Sequence, residues 1–230
     1  KINRDSIIEG LIIPIFKPLN WTSFDVVKKI RYDFKKSFDI KKIKVGHAGT
    51  LDPLATGLLL ICTGKKTKEI EKLQNLDKTY YATFCIGKTT PSFDGETEFD
   101  KHYPTNHIND RLIEKSMNSF IGEIKQQPPI YSALKVKGKR LYEIARKGED
   151  IKINYRKINI YDFNLLNNNF PELDFKIRCS KGTYIRSIAH DFGKKLNSGA
   201  YLKYLERSAI GEYNIKDCMT MDQINNLLFN

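Results

Sequence analysis

One short segment carries the residue types that could do chemistry. Residues 46–57 read GHAGTLDPLATG, in which three glycines surround a single carboxylate, Asp52. Glycine adopts backbone conformations that other residues avoid and allows another chain to approach closely. Pro53 lacks a backbone donor and disfavours a helical conformation for the residue before it. The pattern is typical of a loop that presents one acid.

The same Asp-Pro pair is also a common start of a helix. Aspartate is a favoured N-cap, and proline is favoured at the first helical position. Gly57 would end such a helix after about one turn, and the apolar run at 58–62 predicts a buried strand. Taken without the rest of the chain, the pair favours a helix cap over a catalytic acid.

Residues 46–57 closely resemble the catalytic motif of the TruB family of tRNA pseudouridine synthases, which reads GHxGxLDPxAxG around its acid. The resemblance implies that Asp52 is the nucleophile that isomerises uridine 55 in the TΨC loop of tRNA, after the base is flipped out. The carboxylate would bond to C1′ of the ribose or to the base. His47 would occupy the space that the base leaves or contact neighbouring nucleotides. The resemblance also implies that no cofactor and no metal are used.

Two further segments resemble the parts of this family that hold the target base. KTY at 78–80 makes Tyr80 the ring that stacks on the base, and YLER at 204–207 makes Leu205 the side chain on its opposite face. Without the resemblance, both residues are typical of side chains packed in a strand.

Polar residues of the site are implied in the same way. A GxxTxxxD pattern ends at Asp94, which would lie near the RNA. Residues 179–193 resemble the family's second long motif, in which Tyr184 would hydrogen-bond the target. Arg186 gains nothing from the dipole at a helix start, so we expect a buried carboxylate such as Asp52 to hold it.

Residues 127–152 resemble the thumb insertion of this family, which clasps the T-loop of tRNA. From 135 to 157 the chain has nine basic residues against three acidic ones, as an RNA-facing surface requires. The residues expected to contact RNA are Lys135, Lys137, Lys139 and Arg140.

Composition agrees with a polyanionic partner. The net charge is +12, with 12 tyrosines and 13 phenylalanines, which favours nucleic acid over an anionic membrane surface. Residues 35–44 contain five lysines and one acid; this run is either a solvated surface or an RNA contact. The four cysteines are scattered, so we expect reduced thiols and neither a disulfide framework nor a metal site. We expect a cytoplasmic monomer without a membrane segment or targeting segment.

Periodicity predicts the elements that position these residues. Predicted strands lie at 10–16, 58–62, 78–86, 122–126, 156–166 and 172–179, and predicted helices follow Thr22, cover 67–75 and 109–120, follow Thr183 and cover 219–229. The fold class is therefore α+β, with a mixed, largely antiparallel central sheet flanked by helices. The resemblance implies the pseudouridine synthase fold as one catalytic domain over 1–230, without the C-terminal PUA domain of many members.

Two other functions fit much of this pattern. A non-catalytic RNA-binding protein or tRNA-folding chaperone would share the charge and the thumb but would not need Asp52, Tyr80 and Arg186 together. A synthase could also act on a different uridine. A phosphate-binding loop is excluded, because Leu59 and Lys66 stand where GxxxxGK[ST] needs glycine and serine or threonine.

Overall fold

The computed structural model describes residues 2–132 and 153–229 and, as backbone, 135–136 and 139–140. The chain forms two compact units. The first consists of Lys1–Tyr80 with Leu205–Asn230, and the second is Tyr81–Tyr204.

The elements follow one another in this order. The chain begins with α1 (Arg4–Glu9), β1 (Ile12–Lys17), α2 (Ser23–Ser37), β2 (Val45–Ala48), β3 (Ala55–Thr63), a 3₁₀ helix (Gly64–Glu69), α3 (Ile70–Gln74), β4 (Lys78–Ile86), β5 (Lys88–Thr89) and β6 (Lys101–His102). It continues with α4 (Asp110–Asn118), β7 (Gly122–Gln126), β8 (Lys135–Val136), β9 (Lys139–Arg140), β10 (Arg156–Asn169) and β11 (Glu172–Cys179). The last elements are α5 (Ile185–Lys195), β12 (Ala200–Ile210), β13 (Tyr213–Asn214), a 3₁₀ helix (Ile215–Asp217) and α6 (Met221–Phe229).

Strand β3 is the centre of the first unit. It pairs antiparallel with β1 and with β2, and parallel with the middle of β12 through Leu205 opposite Ala55 and Arg207 opposite Gly57. Because strands pair along both of its edges, β3 is almost entirely buried, as its apolar sequence predicts. The predicted mixed sheet with flanking helices is confirmed.

Helix α2 covers the core of the first unit as its sequence predicts. Thr22 caps it in a reciprocal pair of hydrogen bonds with Asp25. Its inward face has apolar residues at helical spacing, is buried and consists of Val26, Val27, Ile30 and Phe34. Lys28 is exposed, whereas Lys29 is half-buried and pairs with the buried carboxylate of Asp33 at 2.6 Å.

The second unit is built on an antiparallel arrangement. Strand β10 pairs with β11 on one side and with β7 on the other. Its core is a cluster of five aromatic rings, in which neighbouring centroids lie 4.8–6.3 Å apart. The cluster consists of Phe84, Phe120, Phe163, Phe175 and Phe192.

Two predicted features differ from the structure. The helix predicted at 67–75 is a 3₁₀ helix followed by the short α3. Helix α5 begins one residue later than predicted, so that Tyr184 and not Thr183 takes the N-cap position, and the Thr183 hydroxyl donates to the carbonyl of Ser180 at 2.8 Å.

The structure describes only part of the thumb insertion. Strands β8 and β9 pair antiparallel, with Lys135 opposite Arg140 and Val136 opposite Lys139. Lys137 lies outside the described residues. Elsewhere, Cys62, Cys85 and Cys179 are buried and Cys218 is half-buried, all as free thiols. Among the described residues, no helix has both the length and the hydrophobicity to span a membrane.

We expect Phe192→Ala to destabilise the protein by about 3–5 kcal/mol, because Phe192 packs against four other rings of the aromatic cluster and its loss leaves a cavity. Phe192→Leu, the control, should lose less. Urea unfolding followed by circular dichroism measures both changes. Equal midpoints for wild type and Phe192→Ala would contradict this packing.

Candidate active site

Asp52 lies in a turn and does not begin a helix. The backbone N–H of Ala55 donates to the carbonyl of Asp52 at 3.0 Å, and β3 begins at Ala55. The turn expected for Asp52 is therefore observed, and the alternative of a helix cap at Asp52-Pro53 is excluded. The Asp52 side chain is half-buried.

The backbone on both sides of Asp52 is anchored to α2 and to the turn before it. The Ser23 hydroxyl accepts from the N–H of Leu51 at 2.9 Å and donates to the Leu51 carbonyl at 3.2 Å. The N–H of Asn20 donates to the Pro53 carbonyl at 2.8 Å. The two residues that flank Asp52 are thus fixed by direct hydrogen bonds.

Lys17 approaches the same turn from the end of β1. Its side chain is 0% exposed, and its ammonium donates to the carbonyls of Pro18 at 2.9 Å, Trp21 at 2.6 Å and, more weakly, Pro53 at 3.4 Å. Burial lowers the pKa of Lys17 to about 8, although the negative charge of Asp52 opposes this shift. Lys17 is therefore a buried cation within electrostatic reach of Asp52.

Arg207 reaches the loop from β12. It is 2% exposed, and it donates to the carbonyl of Leu58 at 2.9 Å and to that of Gly49 at 3.0 Å. These two carbonyls stand before and after the turn that holds Asp52.

His47 lies on β2 opposite Ile61 of β3. Burial lowers the pKa of His47, and the positive charge of Arg207 lowers it further, against a hydrogen bond with the backbone of Gly49. The imidazole is therefore neutral at pH 7.

Tyr80 and Leu205, the residues predicted to enclose the base, are both buried. Leu205 stands opposite Ala55, three residues after Asp52. Next to Tyr80, the carbonyl of Thr79 accepts from the Ser208 hydroxyl of β12 at 3.2 Å. Neighbouring strands thus hold Tyr80 and Leu205, and their contact with the base stays a prediction.

Arg186 and Asp94 meet inside the second unit. Arg186 is 3% exposed, and its Nη1 donates to the carbonyls of Tyr131 at 2.9 Å and Ser92 at 3.0 Å. Its Nε lies 3.7 Å from Oδ2 of the buried Asp94. A buried carboxylate near Arg186 was expected, and within this unit it is Asp94. Pairing of Arg186 with Asp52 stays a prediction.

Tyr184 is fixed at the start of α5 by Gln126. Its N–H donates to Oε1 of Gln126 at 2.8 Å, and its carbonyl accepts from Nε2 at 3.0 Å. The guanidinium of Arg156 lies over its ring, 4.9 Å from the centroid. The described residues contain no group of three side chains placed to hold a metal ion.

The sequence interpretation missed Lys17, Ser23, Gln126 and Arg207. A signal for Lys17 was present, because it continues the inward alternation of Ile13 and Ile15 along β1. The other three form hydrogen bonds with residues 28 to 158 positions away in the sequence. A local sequence pattern does not predict contacts over such separations.

Comparisons with known proteins show the family of this chain. Residues 35–185 match the N-terminal domain model of the TruB family pseudouridylate synthases. The chain is 54% identical over 213 residues to tRNA pseudouridine synthase B of Flavobacterium johnsoniae, covering 92% of this chain and 93% of that protein. It is 52% identical over 214 residues to the protein of the same name from Phocaeicola vulgatus, covering 93% and 91%.

Solved structures of other proteins have the same fold as this chain. The Cbf5 chain in the crystal structure of a Cbf5-Nop10-Gar1 complex is similar with a TM-score of 0.68 and 27% identity. The match covers 94% of this chain and 53% of that chain, so this protein spans about half of its length.

We expect the stability contributed by Lys17 to rise with pH. Its pKa is about 8 in the folded protein against an ordinary 10.5. Between these values the unfolded chain binds more protons than the folded one, so alkali favours folding. The free energy of unfolding of wild type relative to Lys17→Met should be larger at pH 9.5 than at pH 7.5, measured by urea unfolding. A difference that does not change with pH would contradict the shift.

Proposed function

Because this chain belongs to the TruB family of pseudouridylate synthases, we propose that Asp52 is the nucleophile with which it isomerises uridine 55 in the TΨC loop of tRNA. The protein is an isomerase that converts uridine to pseudouridine in tRNA. The observation that carries the role of Asp52 is its turn, in which both neighbouring residues are held by hydrogen bonds.

The reaction exchanges one bond for another with no net gain or loss of atoms. The N1–C1′ bond of uridine breaks, the base turns, and a C5–C1′ bond forms, while one proton leaves C5 and one is added at N1. No electron donor or acceptor is needed. A carboxylate that bonds transiently to C1′ or to the base stabilises the separated sugar and uracil, as in retaining glycosidases. The fixed turn presents Asp52 for this attack.

The target base must leave its stack before Asp52 can reach it. Unstacking costs a few kcal/mol, less in a loop, and contacts with an aromatic ring recover about 1–3 kcal/mol per base. Tyr80 supplies the ring and Leu205 the opposite face. Both side chains are buried and held by strands, so little side-chain entropy is lost when the base enters.

Polar side chains complete the proposed site. Neutral His47 occupies the space that the flipped base leaves or contacts neighbouring nucleotides. Tyr184 hydrogen-bonds the target nucleotide. Asp94 lies near the RNA and is held by Arg186, by the Ser92 hydroxyl at 2.7 Å and by the N–H of Glu96 at 2.9 Å. These contacts leave the Asp94 carboxylate few alternative orientations.

The thumb insertion binds the folded T-arm. In this proposal Lys135, Lys137, Lys139 and Arg140 contact phosphates, which gives affinity through counterion release. The short hairpin of β8 and β9 brings the backbones of Lys135 and Arg140 opposite each other. Recognition then follows the shape of the RNA more than its sequence.

We expect Asp52→Asn to abolish turnover and to leave tRNA binding within about threefold, because an amide lacks the nucleophilic oxygen but keeps the shape. An unmodified tRNA transcript is incubated with protein, pseudouridine is mapped by carbodiimide and primer extension, and binding is measured on filters. Asp39→Asn, at an exposed loop position, is the matched control and should stay active. Turnover by Asp52→Asn would contradict the role of Asp52 as nucleophile. Modification at another position would contradict uridine 55 as the target.

We expect Arg186→Lys to lose at least about tenfold in turnover, since one ammonium cannot replace a planar group that meets two carbonyls and a carboxylate. Single-turnover kinetics with the same transcript measure the loss. Arg178→Lys is the control, because Arg178 makes an exposed ion pair with Asp162. Unchanged rates in Arg186→Lys would show that the planar geometry is not used.

A further inference from the structure

Arg207 is placed at the catalytic loop by the parallel pairing of β12 with β3. Its backbone stands opposite Gly57, and its side chain is among the largest that are fully buried. Within the described part of the chain, Arg207 forms no ion pair with a carboxylate. A buried guanidinium that meets only backbone carbonyls recovers less of its lost hydration than one in an ion pair. Burial of such a guanidinium therefore costs free energy that an apolar side chain at the same position would not cost.

The two carbonyls that Arg207 binds lie on either side of the loop, at Gly49 before it and at Leu58 within β3 after it. Nε donates to Leu58 at 2.9 Å and Nη2 donates to Gly49 at 3.0 Å. The intervening segment carries Asp52. A planar guanidinium with donors in fixed directions sets the distance between these carbonyls, whereas a flexible ammonium does not.

The glycines of the motif make this approach possible. A β-carbon at Gly57 would lie 2.4 Å from the carbonyl oxygen of Arg207, and Gly57 has a φ of +103°. Gly49 has a φ of +90°, and a β-carbon there would lie 3.5 Å from Nη1 of Arg207. Two of the three glycines around Asp52 are therefore accounted for by Arg207 and its strand.

The charge of Arg207 also reaches the site. Burial is the larger cause of the lowered pKa of His47, and the charge of Arg207 lowers it further. Burial also lowers the pKa of Lys17, and the same charge of Arg207 lowers it further. These groups lie on β2 and at the end of β1, on either side of the loop.

We propose that Arg207 is a positioning residue of the catalytic loop, whose guanidinium joins the carbonyls of Gly49 and Leu58 and thereby orients Asp52. This role rests on the proposed function of Asp52 as nucleophile. Arg207 itself touches neither the substrate nor the reacting atoms.

The test compares Arg207→Lys with a matched control. An ammonium can bind one of the two carbonyls but cannot hold both at their present separation. We expect kcat for a tRNA transcript to fall at least about tenfold, with KM and filter binding within about threefold. Arg31→Lys is the control, because Arg31 donates to a single carbonyl, that of Val45 at 2.9 Å. It should keep its kcat. Equal kcat for Arg207→Lys and wild type would overturn the proposal.

Chemical rescue separates positioning from a general loss of structure. In Arg207→Ala, added ethylguanidinium should restore part of kcat, whereas ethylammonium should not. Ethylguanidinium should not rescue Asp52→Asn. No rescue of a folded Arg207→Ala would overturn the proposal, while full activity of Asp52→Asn would overturn the proposed function and not the contact itself.

A second variant tests the same contact from the loop if the arginine variants do not fold. Gly49→Ala has a β-carbon 3.5 Å from the guanidinium and a strained φ, so the carbonyl should turn away from Arg207. We expect kcat to fall at least about tenfold with binding retained. A Gly49→Ala protein with the kcat of wild type would overturn the proposal.

Discussion

A guanidinium shielded from water joins the carbonyls of Gly49 and Leu58. Between them, residues 50–54 belong to no strand, so their backbone groups have no ladder of hydrogen bonds to satisfy them, whereas residues 55–57 pair within the sheet. Ser23 binds Leu51, and Asn20 with Lys17 binds Pro53. Irregular backbone thus reaches a defined shape through side chains from β1, α2 and β12, and conformational entropy is lost before any substrate arrives.

Buried cations donate to backbone carbonyls in both units. In the first, Lys17 and Arg207 donate to backbone carbonyls, and in the second Arg186 does so at Ser92 and Tyr131. Backbone carbonyls are neutral, so these contacts hold the side chains without cancelling their charge, and Arg186 is paired in addition with the carboxylate of Asp94. Buried cations agree with a protein of net charge +12 whose substrate, tRNA, is a polyanion.

Much of the fold could be predicted from local patterns, and the contacts of the site could not. The apolar face of α2 and the bounds of β4 and β7 follow from periodicity and capping. The helix predicted to follow Thr183 begins one residue later, because the chain stays extended at Tyr184, which takes the N-cap position. The partners of Arg186 and Arg207 depend on topology, which brings together residues far apart in sequence.

The first unit is discontinuous, since Lys1–Tyr80 is completed by Leu205–Asn230. During synthesis residues 46–57 leave the ribosome long before Arg207 does. Until Arg207 has emerged, the carbonyls of Gly49 and Leu58 lack the guanidinium that binds both of them in the folded protein. The first unit therefore cannot reach its final packing before β12 has been made.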